Sequence, residues 1–169
     1  MKPMKPARRL ATRAEARALA HPTRLRILRL CLDAALTNRE LAVRLRQQPA
    51  TVLFHVRTLV KAGFLAAEEE RRGRRGAREI PYRATRKSWT LDFEPTGSEH
   101  VAAVDAFRAE MLEAGPESVL ELARLGIRLR PADLRRLQRR IQAAVMRAHD
   151  DDDPEGDPVS LFVGLHRRR

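Results

Sequence analysis

Three short amphipathic helices, followed by two strands joined by an arginine-rich turn, predict a winged helix-turn-helix. The fold class is mainly α with a small β wing, extended by a C-terminal α-helical dimerisation or sensor region. Charge distribution supports this division. Of a formal net charge of +12, residues 1–90 carry +15 and residues 91–169 carry −3. A basic half joined to a mildly acidic half suits a module for a polyanion coupled to a partner or sensor module. The 169 residues fit one domain with an appendage, and 4% aromatics imply an aliphatic core. One cysteine, Cys31, excludes an internal disulfide framework. No apolar run approaches the roughly 18 residues of a membrane span, and the first residues lack the apolar stretch of a secretory signal. The expected setting is cytoplasmic, with no membrane partner.

The elements follow in order. Residues 1–11 form a basic tail expected to be flexible. Residues 12–20 are alanine-rich and helical in propensity. Pro22 fits the first turn of a second helix with Leu25, Leu28 and Leu32 on one stripe. Thr37 and Glu40 have capping-box spacing and open a short third helix. Pro49 starts a fourth, and Gly63 supplies a natural stop. Residues 64–67 read as a strand and residues 71–76 as a turn. Residues 80–83 read as a returning strand that Pro81 places at a sheet edge. Residues 88–93 suggest another extended segment. Thr96 and Glu99 form a second capping box before a helix with Val101, Val104, Phe107 and Met111 at helical spacing. Residues 117–125 suggest a short helix. Pro131 opens a longer one with Leu134, Leu137, Ile141 and Val145 on one stripe. Residues 150–158 are acidic, and residues 159–165 alternate as an edge strand does. The expected organisation is a tail over 1–11, a winged helix-turn-helix over 12–90, a helical region over 91–149, and an acidic linker with an edge strand over 150–169.

The fourth helix has two faces. Val52, Val56, Leu59 and Val60 fall on one arc, with Leu53 at its margin. Ala50, Thr51, Phe54 and Thr58 fall opposite and are the candidate base-reading residues: threonine can hydrogen-bond a base, and phenylalanine can meet a thymine methyl. His55, Arg57 and Lys61 flank that face as candidate backbone contacts. An ordinary amphipathic helix with a solvated outer face has the same pattern. In the wing, Arg71, Arg72, Arg74, Arg75 and Arg78 crowd into eight residues, with Gly73 and Gly76 allowing the bend. Like charges so close suit a phosphate backbone or a minor groove. A solvated charge run, offset by Glu68, Glu69 and Glu70, is the plainer alternative.

Taken together, these residues carry a resemblance. The HPTRLRIL stretch (residues 21–28) and the T-x-x-E-L-A helix (residues 37–42) are joined by T-V-x-x-H-V-x-x-L and A-G-F-L (residues 51–65). With the basic hairpin ending near Tyr82, they resemble the ArsR/SmtB-type winged-helix repressors over about residues 12–90. The resemblance implies a bacterial homodimer that binds double-stranded operator DNA and is released by an inducer. Two features depart from that family. Leu53 stands where a serine usually precedes the helix histidine by two positions. Residues 39–46 lack the cysteine metal box.

No metal site is expected. His21, His55, His100, His149 and His166 lack ligand spacing, and the acidic run after His149 does not complete a calcium loop. Cys31 reads as a packed core thiol. No catalytic triad, P-loop or paired carboxylate is present, so neither an enzyme nor a cofactor is expected. The reading is a sequence-specific regulator, a repressor rather than an activator, with DNA, a second copy of itself and a candidate small-molecule inducer as partners. The dimer or ligand region would involve Val101, Val104, Phe107, Met111, Leu122, Leu137, Ile141 and Val145. A winged-helix scaffold for protein complexes is the alternative, and RNA binding is disfavoured by the few aromatics.

Overall fold

Capping chemistry starts the N-terminal helices. Helix α1 (Arg13–Leu19) begins after Thr12, whose hydroxyl accepts the Glu15 N–H while the Glu15 carboxylate accepts the Thr12 N–H. Helix α2 (Pro22–Asp33) follows His21, whose Nδ1 accepts the Thr23 N–H at 3.2 Å. Helix α3 (Asn38–Leu45) repeats the capping box with Thr37 and Glu40. Helix α4 (Pro49–Lys61) starts on Pro49 and ends before Gly63, whose φ of +76° favours glycine. The computed structural model describes residues 8–72, 77–93, 98–153 and 155–167. Contacts divide the chain into two units, Met1–Ser118 and Val119–Arg169.

The first unit is a winged helix-turn-helix. Ile27, Cys31, Leu41, Val52, Val56, Leu59, Phe64 and Leu91 are fully buried at its centre. Each such aliphatic or aromatic side chain contributes about 1.5–3 kcal/mol on leaving water. Burial pushes the Cys31 thiol up to about 12, so it stays protonated and packs as an apolar group. Arg24 is also buried. Its Nε donates to the Ala18 carbonyl at 2.5 Å and its Nη2 to the Arg17 carbonyl at 2.8 Å, which satisfies the end of α1.

Among the described residues, three short sheets complete this unit. Strand β1 (Arg9–Leu10) pairs in parallel with β7 (Leu91–Asp92). The inner end of the expected flexible tail is therefore part of the fold; residues 1–7 lie outside the described residues. Strand β2 (Leu36–Thr37) and strand β3 (Leu65–Ala67) flank β6 (Pro81–Ala84) in an antiparallel sheet. This corrects the edge position expected from Pro81. As the first residue of β6, Pro81 is tolerated facing Thr37 in the central strand. Strand β4 (Arg71–Arg72) pairs with β5 (Arg78–Glu79) farther out along the same hairpin. Residues 87–90 form a 3₁₀ turn, so only the last part of the extended segment expected over 88–93 is a strand.

Helix α5 (Ser98–Ala114) packs on α1 and α2 through buried Ala102 and Ala106. Arg26 pairs with Glu113 across that contact. The expected cap residue Thr96 lies outside the described residues. The second unit holds helix α6 (Pro131–Asp150), with Leu134, Leu137, Ile141 and Val145 half-buried along one stripe. Two expectations fail here. The helix expected over 117–125 is a 3₁₀ turn at Pro116–Ser118 followed by irregular chain. Residues 159–165 form no strand. A short isolated helix is marginal without a packed face, and a strand needs a partner.

Candidate nucleic-acid interface

The turn between α3 and α4 is held by side chains from three elements. Asn38 Nδ2 donates to the Pro49 carbonyl at 2.9 Å, tying the start of α3 to the start of α4. Gln47 Nε2 donates to Thr23 Oγ1 at 3.3 Å, tying the turn to α2. Arg46 closes α3 in the left-handed region at φ 52°, and its N–H donates to the Val43 carbonyl. These bonds set the direction in which α4 leaves the core.

The outer face of α4 is open. Ala50, Thr51, Arg57 and Lys61 are exposed, and Phe54 keeps 66% of its surface in solvent. A phenylalanine so exposed on a structured helix offers an apolar contact to a partner. Thr58 is half-buried. Its hydroxyl donates to the Phe54 carbonyl at 2.9 Å, leaving oxygen lone pairs to accept from a partner.

His55 does not join that face. It is buried, with its ring 4.4 Å from that of His21, so the expected backbone contact is corrected. With about 100° between helical residues, His55 lies beside Leu59 on the Val52 side. The buried arc is rotated toward His55 and away from Val60, which is 37% exposed. Proximity to the start of α2, not hydrophobicity, decides the inward residue. Burial lowers the proton affinity of both imidazoles; Arg24 adds repulsion at each, and His21 adds to it at His55.

The wing carries more compensation than its arginine count suggests. Arg71 Nη2 lies 2.7 Å from both carboxylate oxygens of Glu40. Arg78 Nε lies 3.1 Å from Glu70, and Arg83 Nε lies 2.5 Å from Glu68. Arg72 is exposed and faces Arg78 across the ladder, an unfavourable like-charge pairing in the free protein. Arg74 and Arg75 lie outside the described residues. Glu40 and Asn38 are the structural contributors that periodicity did not single out. The capping-box spacing located Glu40 but said nothing of its second role on Arg71.

Beneath the far end of α4, Lys87 Nζ donates to the Ala62 carbonyl and pairs with Glu15, both at 2.7 Å. It also sits 5.2 Å from the centre of the Phe64 ring. Arg9 pairs with the same carboxylate at 2.6 Å. These donors hold Glu15 well below the usual carboxylate range, Arg9 contributing most, then Lys87. A Cβ at Gly63 would lie 3.3 Å from Lys87 Nζ, a second reason for glycine there.

The residues assigned to a dimer or ligand region fall in both units. Val101 and Val104 are exposed on α5, while Phe107 and Met111 are half-buried. Leu122 is exposed on irregular chain, and Leu137, Ile141 and Val145 lie on α6. An open cleft of about 1710 Å³ in the second unit is lined by Leu125, Ile127, Leu134 and Leu165, among others. Phe107, Met111, Leu122 and Leu137 do not line it. Among the described residues no group of three histidine, cysteine or acidic side chains is placed to hold a metal, and no helix is long and apolar enough to cross a membrane.

Residues 19–67 match the model of a helix-turn-helix domain family. That match spans α2, α3, α4 and β3. No curated protein matches the chain. Among solved structures, the chain is similar to reduced HlyU from Vibrio cholerae N16961 at 22% identity. That match covers 54% of this chain and 80% of that one, with a TM-score of 0.37. Rv0081 of M. tuberculosis is 24% identical, over 59% of this chain and 87% of that one, with a TM-score of 0.36. The cadmium metal-sensor CMTR from Mycobacterium tuberculosis is 23% identical, over 70% of this chain and all of that one, with a TM-score of 0.37.

Proposed function

We propose that this protein is a sequence-specific DNA-binding transcriptional regulator of the ArsR-like kind, a homodimeric repressor released by a small-molecule inducer. One observation carries the reading. Helix α4 buries Val52, His55, Val56 and Leu59 while presenting Thr51, Phe54, Arg57 and Lys61 together to solvent. Such a face can read base edges from the start of the helix and hold phosphates along its flank. The wing would add Arg72 and, from the sequence between β4 and β5, Arg74 and Arg75 as phosphate or minor-groove contacts. Exposed Val101, Val104 and Leu112 on α5 support an isologous dimer contact. Two linked half-sites would then lie about one DNA turn apart, or a multiple of it.

Selection of genomic fragments by the full-length protein tests this reading. Enrichment of a palindromic site, bound at least about a thousandfold more tightly than scrambled duplex, supports it. Retention of no duplex would favour the protein-interaction scaffold instead. Val104→Glu should convert a sedimenting dimer to monomer; an unchanged dimer would place the interface elsewhere.

A further inference from the structure

Wing arginines draw attention as phosphate ligands, but Arg71 is engaged within the protein. Its Nη2 spans both oxygens of Glu40 at 2.7 Å. The same carboxylate accepts the Thr37 backbone N–H at 2.8 Å and the Thr37 hydroxyl at 3.0 Å. Thr37 ends β2, which pairs with β6 of the wing sheet. Glu40 therefore sits where the root of the wing meets the start of α3. One oxygen closes the helix cap and both hold the hairpin. The carboxylate is kept below its usual range first by the Thr37 N–H, with Arg71 adding to the effect.

Resting on the DNA-binding reading above, we propose that Glu40 is a positioning residue for operator recognition: through Arg71 it fixes the wing relative to the helix-turn-helix. Arg71 is then not a phosphate ligand. The physical case is preorganisation. The outer strands β4 and β5 are two residues each and lie apart from the β2–β6–β3 sheet. So short a ribbon has little stability of its own. A charged bond from Arg71 to a rigid helix start removes freedom that operator binding would otherwise have to remove. Asn38, two residues before Glu40, bonds the start of α4, so wing and recognition helix are referred to the same helical turn.

The test compares full-length wild type with Glu40→Gln, Arg71→Gln, Arg71→Lys and the Glu40→Gln/Arg71→Gln double variant. Glutamine at position 40 keeps the capping-box geometry, so α3 is retained. Each protein is titrated with its selected operator and with scrambled duplex at several salt concentrations. Amide exchange of residues 65–84 is measured in the free protein. Arg71→Gln should lower the operator-to-scrambled ratio roughly fivefold, leave the salt slope on scrambled duplex unchanged, and speed exchange in the wing. Glu40→Gln should lower the ratio similarly, yet steepen that slope by up to about one unit, because Arg71 is freed for phosphate. The double variant should be no worse than either single one, and Arg71→Lys should restore part of the ratio. A slope reduced by about one unit in Arg71→Gln, with an unchanged ratio in Glu40→Gln, would make Arg71 a phosphate contact and overturn the proposal. Unchanged exchange in both single variants would overturn it too. Should wild type select no duplex, the DNA-binding reading fails, and exchange still decides whether Glu40 orders the wing.

Discussion

Replacing Phe54 by alanine separates reading DNA from holding it. The ring is 66% exposed and makes an edge contact with His55 at 5.6 Å between centroids. Full burial of a phenylalanine is worth about 1.5–3 kcal/mol, so a third of that, roughly 1 kcal/mol or less, is the expected loss of stability. Its loss from a base edge should cost about 1–3 kcal/mol per half-site. Across two half-sites the operator affinity should fall roughly thirtyfold or more, while scrambled duplex is bound as before. The salt dependence should not change, because no counterion is released by an apolar contact. Arg57→Ala is the matched control. Arg57 is exposed and cationic, so its loss should weaken both duplexes alike and flatten the log–log slope by about 0.9 for each phosphate it neutralises. Fluorescence titrations of both variants at four salt concentrations, with thermal melts alongside, supply every quantity. If Phe54→Ala weakens scrambled duplex as much as operator, or flattens the slope, base reading by this face of α4 is wrong.

Three further outcomes follow from the geometry. Glu15→Gln removes the shared carboxylate of Arg9 and Lys87 and should lower the unfolding free energy by about 2 kcal/mol, read by urea titration. Because the folded carboxylate titrates below its unfolded value, the wild-type contribution is complete above about pH 4.3 and is lost as pH falls through the folded value; Glu15→Gln should flatten that acid limb. His21 and His55 also titrate below their unfolded values, so the unfolded state binds more protons. Stability should be highest above about pH 6.5 and decline as pH falls below it, and His55→Leu should weaken that decline in urea midpoints measured between pH 5 and 7.5. Arg46→Gly should stabilise the protein by about 1 kcal/mol, since glycine adopts the left-handed conformation without the Cβ clash; a lowered melting temperature would show that the arginine side chain contributes more than its backbone costs.

What the sequence determined by itself was local. The Thr37–Glu40 cap, Pro49 at the start of α4 and Gly63 at its end act through bonds and dihedrals within a few residues, so their spacing suffices to place the helix-turn-helix. The exposed positions of Thr51, Phe54, Arg57 and Lys61 follow from helical period, for the same reason. Tertiary structure decided whatever needs a distant partner. Pro81 stands in a central strand because Leu36–Thr37 arrives on its other side. His55 turns inward because His21 meets it there. Helix α5 buries Ala102 and Ala106 on the face that meets α1 and α2, while Phe107 and Met111 are only half-buried, an order that apolar size alone does not give. Arg71 meets Glu40 across a separation of 31 residues that no local pattern encodes. Periodicity reports which face of an element is apolar; which neighbour covers that face, or claims a charge beside it, is settled only when remote segments compete for the same space.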